Sequence, residues 1–196
     1  MPSATSSVFE AQGFRCVELQ PEDIPELQVF FEANPAYFIA VNGEPPRPEE
    51  AHEEFYSELP AGMSFTKQWV VGFVDAANAL VGIAGVISDL MAAGVWHIGL
   101  FLVATDRHGS GDAQTLMRGL EAWALRGGAR WLRLGVVQGN ARAERFWLRQ
   151  GFVDLKLREG MPMGRLVNTV RVMAKPLEGN TLAEYLGLMP RDRPAA

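Results

Sequence analysis

One cysteine and three histidines are all the thiol and imidazole in 196 residues: Cys16, His52, His97 and His108. A single thiol makes no intrachain disulfide, and thiolates cannot build a zinc cluster here. The histidines form no HExxH pair, so no metal centre is expected. Long apolar runs are missing too. His, Asp or Gly interrupts the most apolar windows within twenty residues, which excludes a membrane span. The opening stretch MPSATSSVFEAQG has neither a basic start nor an apolar segment, so no secretory signal is expected and a cytoplasmic location is. Positive charge is not in excess: Lys+Arg 18 against Asp+Glu 23 leaves a net charge of -5. Such an average surface repels phosphates, and no nucleic-acid partner is expected. There is no internal repeat and no low-complexity segment.

What is present is an ordinary globular composition, 48% hydrophobic and 21% charged, at a length suited to one sizeable core. The reading along the chain begins with a loose lead over residues 1–12. FRCVEL (14–19) predicts a strand. PEDIPELQVFFEANPAYF predicts a helix, with Pro21, Glu22 and Asp23 suited to its first turn. VNGEPPRP (41–48) predicts a loop and EEAHEEFYSEL (49–59) a short polar helix. Three strands follow at 67–75, 79–90 and 95–104, the first two joined by a DAAN turn. Residues 112–125 predict a helix, with Leu116, Leu120 and Ala124 on one side and Gly127-Gly128 at its end. A strand at 129–137, a helix at 141–150 capped by Asn140, and two strands around an EGMPMG loop complete the pattern. This is a mixed α/β arrangement. The domain is expected over 13–178, with 179–196 as a C-terminal extension.

Between the strand VWHIGLFLVA and the helix beginning at Asp112 lies DRHGSGDA. A P-loop needs Gly-Lys-Ser/Thr, and Gly111 is followed by Asp-Ala. A dinucleotide fingerprint needs a third glycine where Gln114 stands. Two readings remain: a flexible connector, or a cradle in which glycine amides and a helix N-terminus face phosphate oxygens.

The stretch His108-x-x-Gly111-x-Ala113 is followed, twenty-seven residues past Ala113, by NARAERFWLRQGF at 140–152. In this order the two segments resemble the diagnostic motifs of the Gcn5-related N-acetyltransferase superfamily, over about 14 to 177. The resemblance implies a single α/β domain with a mixed, mostly antiparallel central sheet and helices on both faces. It also implies a splayed strand pair, the fourth and fifth, forming a cleft for acetyl-CoA, the co-substrate. Coenzyme-binding residues would be Leu102 and Val103 at the strand end, His108, Gly109, Ser110, Gly111, Asp112 and Ala113 in the pyrophosphate loop, and Asn140, Ala143 and Phe146 beyond it. Two departures stand out. His108 replaces the family's Gln or Arg, and Trp147 stands where many members carry the tyrosine proposed to protonate the departing thiolate. Indole donates a hydrogen bond but is no general acid.

The implied reaction carries an acetyl group to a primary amine by direct attack in a ternary complex. It needs a base for the amine proton and an amide for the carbonyl charge, the latter near Leu102 or Val103 by resemblance. His97 is the expected base. It lies six residues before Val103, and even separation in a strand places both on one face, unless a bulge rotates it. A scaffold role is its alternative. Cys16 is expected as buried filler. For the acceptor, Glu54 and Tyr56 are candidates from the 49–59 helix, and Trp69 either floors a pocket or packs in the core. The acceptor itself is open between a small-molecule amine and a protein amine. A homodimer is favoured by resemblance alone. A coenzyme-binding module without activity, and an acyltransferase using another acyl-CoA, are the alternatives.

Overall fold

A computed structural model of the chain describes residues 7–194. Eight strands form one sheet: β1 (Ser7–Ala11), β2 (Phe14–Glu18), β3 (Lys67–Asp75), β4 (Leu80–Ser88), β5 (Val95–Val103), β6 (Trp131–Val137), β7 (Val153–Met163) and β8 (Leu166–Pro176). Their spatial order is β1-β2-β3-β4-β5-β6-β8-β7. Every neighbouring pair is antiparallel except β5–β6. Six α-helices accompany the sheet among the described residues: α1 (Ile24–Ala33), α2 (Ala36–Asn42), α3 (Glu50–Tyr56), α4 (Asp112–Arg126), α5 (Ala141–Arg149) and α6 (Leu182–Leu188). Among the described residues no helix is long and apolar enough to cross a membrane.

The strand sequences distribute their side chains onto two cores. In KQWVVGFVD, Trp69, Val71 and Phe73 face α4 and α5, while Val70 and Val74 face α1, α2 and α3. The first core is centred on three tryptophans: Trp69 stacks on Trp96 at 5.1 Å, and Trp123 of α4 meets both edge-on at 5.2 Å. The second gathers Leu27, Phe31 and Phe38 over Leu100 and Leu102. Each such side chain is worth about 1.5–3 kcal/mol when fully buried, so both faces of the sheet are held firmly.

The structure departs from the sequence-based expectation at several places. Residues 7–11 are not a loose lead: they form β1, which reverses through Gly13 (φ 82°) onto β2, and Phe9 stacks on Trp123. Residues 1–6 lie outside those described. The helix expected over 21–38 breaks at Asn34-Pro35, because Asn34 turns its side chain to Phe30 O and its Oδ1 to the amide of Thr105. The EGMPMG stretch is strand, except for its last residue, Gly164 (φ 54°), in the β7–β8 turn. The C-terminal extension is bound in. Trp131 donates to Thr181 O, and Tyr185 and Met189 are buried with Val95, Trp131, Leu155 and Ala174.

Two irregularities of β5 position everything that follows. It pairs with β6 only from Val95 opposite Trp131 to Ile98 opposite Leu134, after which the two strands part. On its other side, Gly85 opposes Leu100 and Val86 opposes Ile98, so Gly99 is an extra residue, a bulge. Trp96 and Ile98 face the α4 core before the bulge, and Val103 faces it after. His97 therefore shares the face of Leu100 and Leu102, opposite to Val103. The even spacing that placed His97 and Val103 on one face fails by this one residue.

Candidate active site

The parting of β5 from β6 leaves backbone groups without a ladder. Ala104 donates to Val81 O on β4. Alternation along an antiparallel pair then turns the amide of Leu102 toward β4, and those of Phe101 and Val103 into the gap. The amide expected near Leu102 or Val103 is thus available at Val103 and Phe101 and not at Leu102. Two cavities open there, of about 310 and 230 Å³. They share Tyr37, Phe101, Asn140, Ala143 and Trp147, so they are two ends of one cleft.

The smaller end is bordered by Leu102, Val103, His108, Ala113, Asn140, Ala143 and Phe146, seven of the residues expected to hold a coenzyme. Gly109, Ser110, Gly111 and Asp112 form the turn into α4 without lining it. Gly109 (φ 90°) and Gly111 (φ 96°) take the left-handed conformation that side chains disfavour, and a Cβ on either would meet nothing within 4 Å. Open space on that side and free donors on the backbone make a cradle. Among the described residues the amides of Gly109, Gly111 and Ala113 have no acceptor, while that of Asp112 bonds Ser110 Oγ at 3.1 Å. Arg107 steadies the turn through Asp75 and Asp112. Asn140 caps α5 by accepting from the amide of Ala143 at 3.2 Å. His108 does not point outward as a phosphate ligand: its Nε2 lies 3.0 Å from Val103 O, to which it donates. Burial, and then the neighbouring Arg142, hold its pKa below the ordinary value, so the ring is neutral. Arg142 lines the same end with no acid partner among the described residues. It supplies the cation that His108 lacks, and the sequence reading passed it over inside NARAERF. These donors and this cation suit the pyrophosphate and pantetheine of acetyl-CoA.

The larger end holds the groups able to handle an amine. His97 faces it, with Nδ1 3.1 Å from Arg133 O. Arg133 O only accepts and Arg133 Nη1, 3.3 Å from the same nitrogen, only donates; the shorter contact is the carbonyl's, so Nδ1 carries the proton and Nε2 is left as an acceptor beside Gly99. Burial first, and then the Arg133 guanidinium, push the pKa of His97 down to about 3. Glu54 approaches the same bulge from α3. Its Oε2 would lie 3.3 Å from a Cβ on Gly85, and Gly85 O lies next to Gly99. Burial, followed by repulsion from Glu50 and Glu53, pushes Glu54 up to about 7. Its carboxylate has no protein donor among the described residues, whereas Glu50 and Glu53 are tied to Arg47.

The remaining candidates fall elsewhere. Trp69 belongs to the tryptophan cluster on the α4 side and lines neither end. Tyr56 is exposed at the end of α3, against His52. Cys16 is buried with its thiol pushed up to about 12, chiefly by burial, and is inert. Trp147 packs against Phe101, Phe146 and Phe152. Tyr37 is the one tyrosine that lines both ends of the cleft.

No curated protein matches the chain. Solved structures do: an acetyltransferase from Thermus thermophilus is 24% identical, with a TM-score of 0.65 over 84% of this chain and 97% of that one. Spermidine N-acetyltransferase from Vibrio cholerae, solved with CoA and spermine, is 17% identical, with a TM-score of 0.64 over 84% and 96%. The ribosomal-protein-S18-alanine N-acetyltransferase from Escherichia coli is 14% identical, with a TM-score of 0.63 over 86% and 96%. At these identities the likeness is one of fold. A profile of the acetyltransferase (GNAT) family matches residues 27–152. That stretch runs from α1 through the β5–β6 gap to Phe152, just past α5, and takes in most of the chain and most of the cleft, and the chain belongs to the GNAT acetyltransferase family.

Proposed function

We propose that this protein transfers the acetyl group of acetyl-CoA to a primary amine by direct attack within a ternary complex. The observation that carries the reading is the continuous cleft through the β5–β6 gap. A coenzyme-sized end with free amides joins an end lined by His97 and Gly99, and behind the Gly85–Gly99 bulge stands the unpaired, partly buried carboxylate of Glu54. The turn amides and Arg142 hold the pyrophosphate. The Phe101 and Val103 amides meet the thioester arm and the charge that develops on its carbonyl oxygen.

Glu54 takes the amine proton, in place of the expected His97. A base works best with a pKa near the operating pH, which Glu54 meets and a ring pushed to about 3 does not. His97 stays neutral and accepts a hydrogen bond at Nε2, orienting the amine or a water beside Gly99. Tyr37, whose hydroxyl is kept protonated by burial and by Glu54, donates to the departing sulfur, the role that Trp147 cannot fill. The test is amine-dependent release of thiol from acetyl-CoA, with the product identified by mass, beside calorimetry of coenzyme binding. Micromolar binding with turnover of at least one amine is expected. Binding with no turnover across a broad amine panel would leave only a coenzyme-binding module.

A further inference from the structure

Beyond the coenzyme, the acceptor end of the cleft carries a charge pattern that selects its guest. Arg133 and Arg158 line it, and both also line an adjoining cavity of about 170 Å³ with Arg191. One carboxylate serves this cluster. Asp192 Oδ2 accepts from Arg133 Nε at 2.7 Å, and Oδ1 from Arg133 Nη2 at 3.2 Å and Arg158 Nη2 at 2.8 Å, while Tyr185 donates to Oδ2 at 2.6 Å. Asp192 is fully buried beneath the two arginines, whose side chains keep 10% and 22% of their exposure. Arg191 has no acid partner among the described residues; it donates to Met91 Sδ. Three guanidiniums therefore stand over one carboxylate. No Asp or Glu lines either cavity.

Such a surplus of fixed cations in a recess repels a polyamine and attracts an anion, and a guanidinium fork fits a carboxylate edge-on. The opposite charge stands just outside the lining, where Glu54 reaches Gly85 beside the Gly99 bulge. Between the two stands His97, with Nε2 toward Gly99 and Nδ1 3.3 Å from Arg133 Nη1. One imidazole ring separates the place where the amine reacts from the arginines. Building on the acetyltransferase reading, we propose that the acceptor is a small amine carrying a carboxylate on the same molecule, an amino-acid-like substrate whose carboxylate is held by Arg158, with the charge of Arg133 beside it.

The test compares kcat/KM, by thiol release at saturating acetyl-CoA, for free amino acids, the carboxamides of the same amino acids, and spermidine. The best amino acid should exceed its own carboxamide by about 10- to 100-fold, the range for a charge-assisted hydrogen bond. Arg158→Gln should bring that ratio close to one, and Arg158→Lys should restore part of it. Calorimetry should show acetyl-CoA affinity unchanged in both variants, which distinguishes a lost acceptor contact from a damaged fold. Equal rates for acid and carboxamide, or spermidine as the best acceptor, would overturn the proposal while leaving the acetyltransferase reading intact. So would failure of every carboxylate-bearing amine when acetyl-CoA is bound. Absence of acetyl-CoA binding by the wild-type protein would overturn the acetyltransferase reading itself.

Discussion

Glu54→Gln should make the protein both more stable and nearly inactive. The folded structure raises this carboxyl from 4.5 to about 7, by burial and by Glu50 and Glu53. At about 1.4 kcal/mol per pKa unit, keeping Glu54 charged costs the fold on the order of 3 kcal/mol. The sign follows from proton binding: between pH 4.5 and 7 the folded state holds the proton more tightly than the unfolded chain. Wild-type stability therefore falls, relative to the variant, as pH rises through that window, and the difference is constant above it. Urea unfolding at about pH 4.5 and about pH 8 measures this directly. Glutamine keeps the shape but accepts no proton, so kcat/KM should fall about 100-fold, at the lower end of general-base effects. The wild-type rise in rate with pH around 7 should vanish with it, when both proteins are assayed on one amine. A variant equal to wild type in stability at both pH values, with an unchanged rate profile, would refute the assignment.

The glycine turn gives an independent check: Gly111→Val forces a side chain into φ 96° and disturbs the cradle, so acetyl-CoA binding by calorimetry should weaken more than tenfold with circular dichroism unchanged. Unchanged affinity would remove the turn from coenzyme binding. Asp192→Ala leaves the buried Arg133, and the half-buried Arg158 beside it, without their acid and should cost about 3–5 kcal/mol in denaturant unfolding; a loss under about 1 kcal/mol would mean the C-terminal segment is not held by these pairs. His97 refuses a proton in the fold that it accepts when unfolded, so stability should be full above pH 6.5 and decline as pH falls toward 3. In His97→Gln that part of the acid decline should be missing; an identical acid profile would mean that His97 is not held neutral.

The order of strands and helices was legible because strand and helix periods alternate cleanly along this chain, and because glycines mark the turn before α4. The coenzyme end was legible for a related reason: its residues lie close together in sequence, in one strand–turn–helix and one helix start. The acceptor end was not. A bulge at Gly99 changes the face on which His97 lies, and nothing in VWHIGLFLV distinguishes a bulged glycine from a regular one. Glu54 reads as one of five acids in a polar helix, and only the packing of α3 on the sheet turns it inward while Arg47 ties up Glu50 and Glu53. The Arg133–Asp192 pair spans 59 residues of sequence and depends on α6 docking against Trp131 and Leu155. Trp69 had two readings on sequence grounds, and the position of α4 decides for the core.

In the proposed mechanism acetyl-CoA and an amine meet in one cleft and react directly. Initial rates of thiol release, with acetyl-CoA and the acceptor varied together, test it most directly. Double-reciprocal lines should intersect, as a ternary complex requires. Parallel lines would place an acetyl group on the enzyme between two half-reactions and contradict it, since the cleft offers no free thiol and Cys16 is buried away from it.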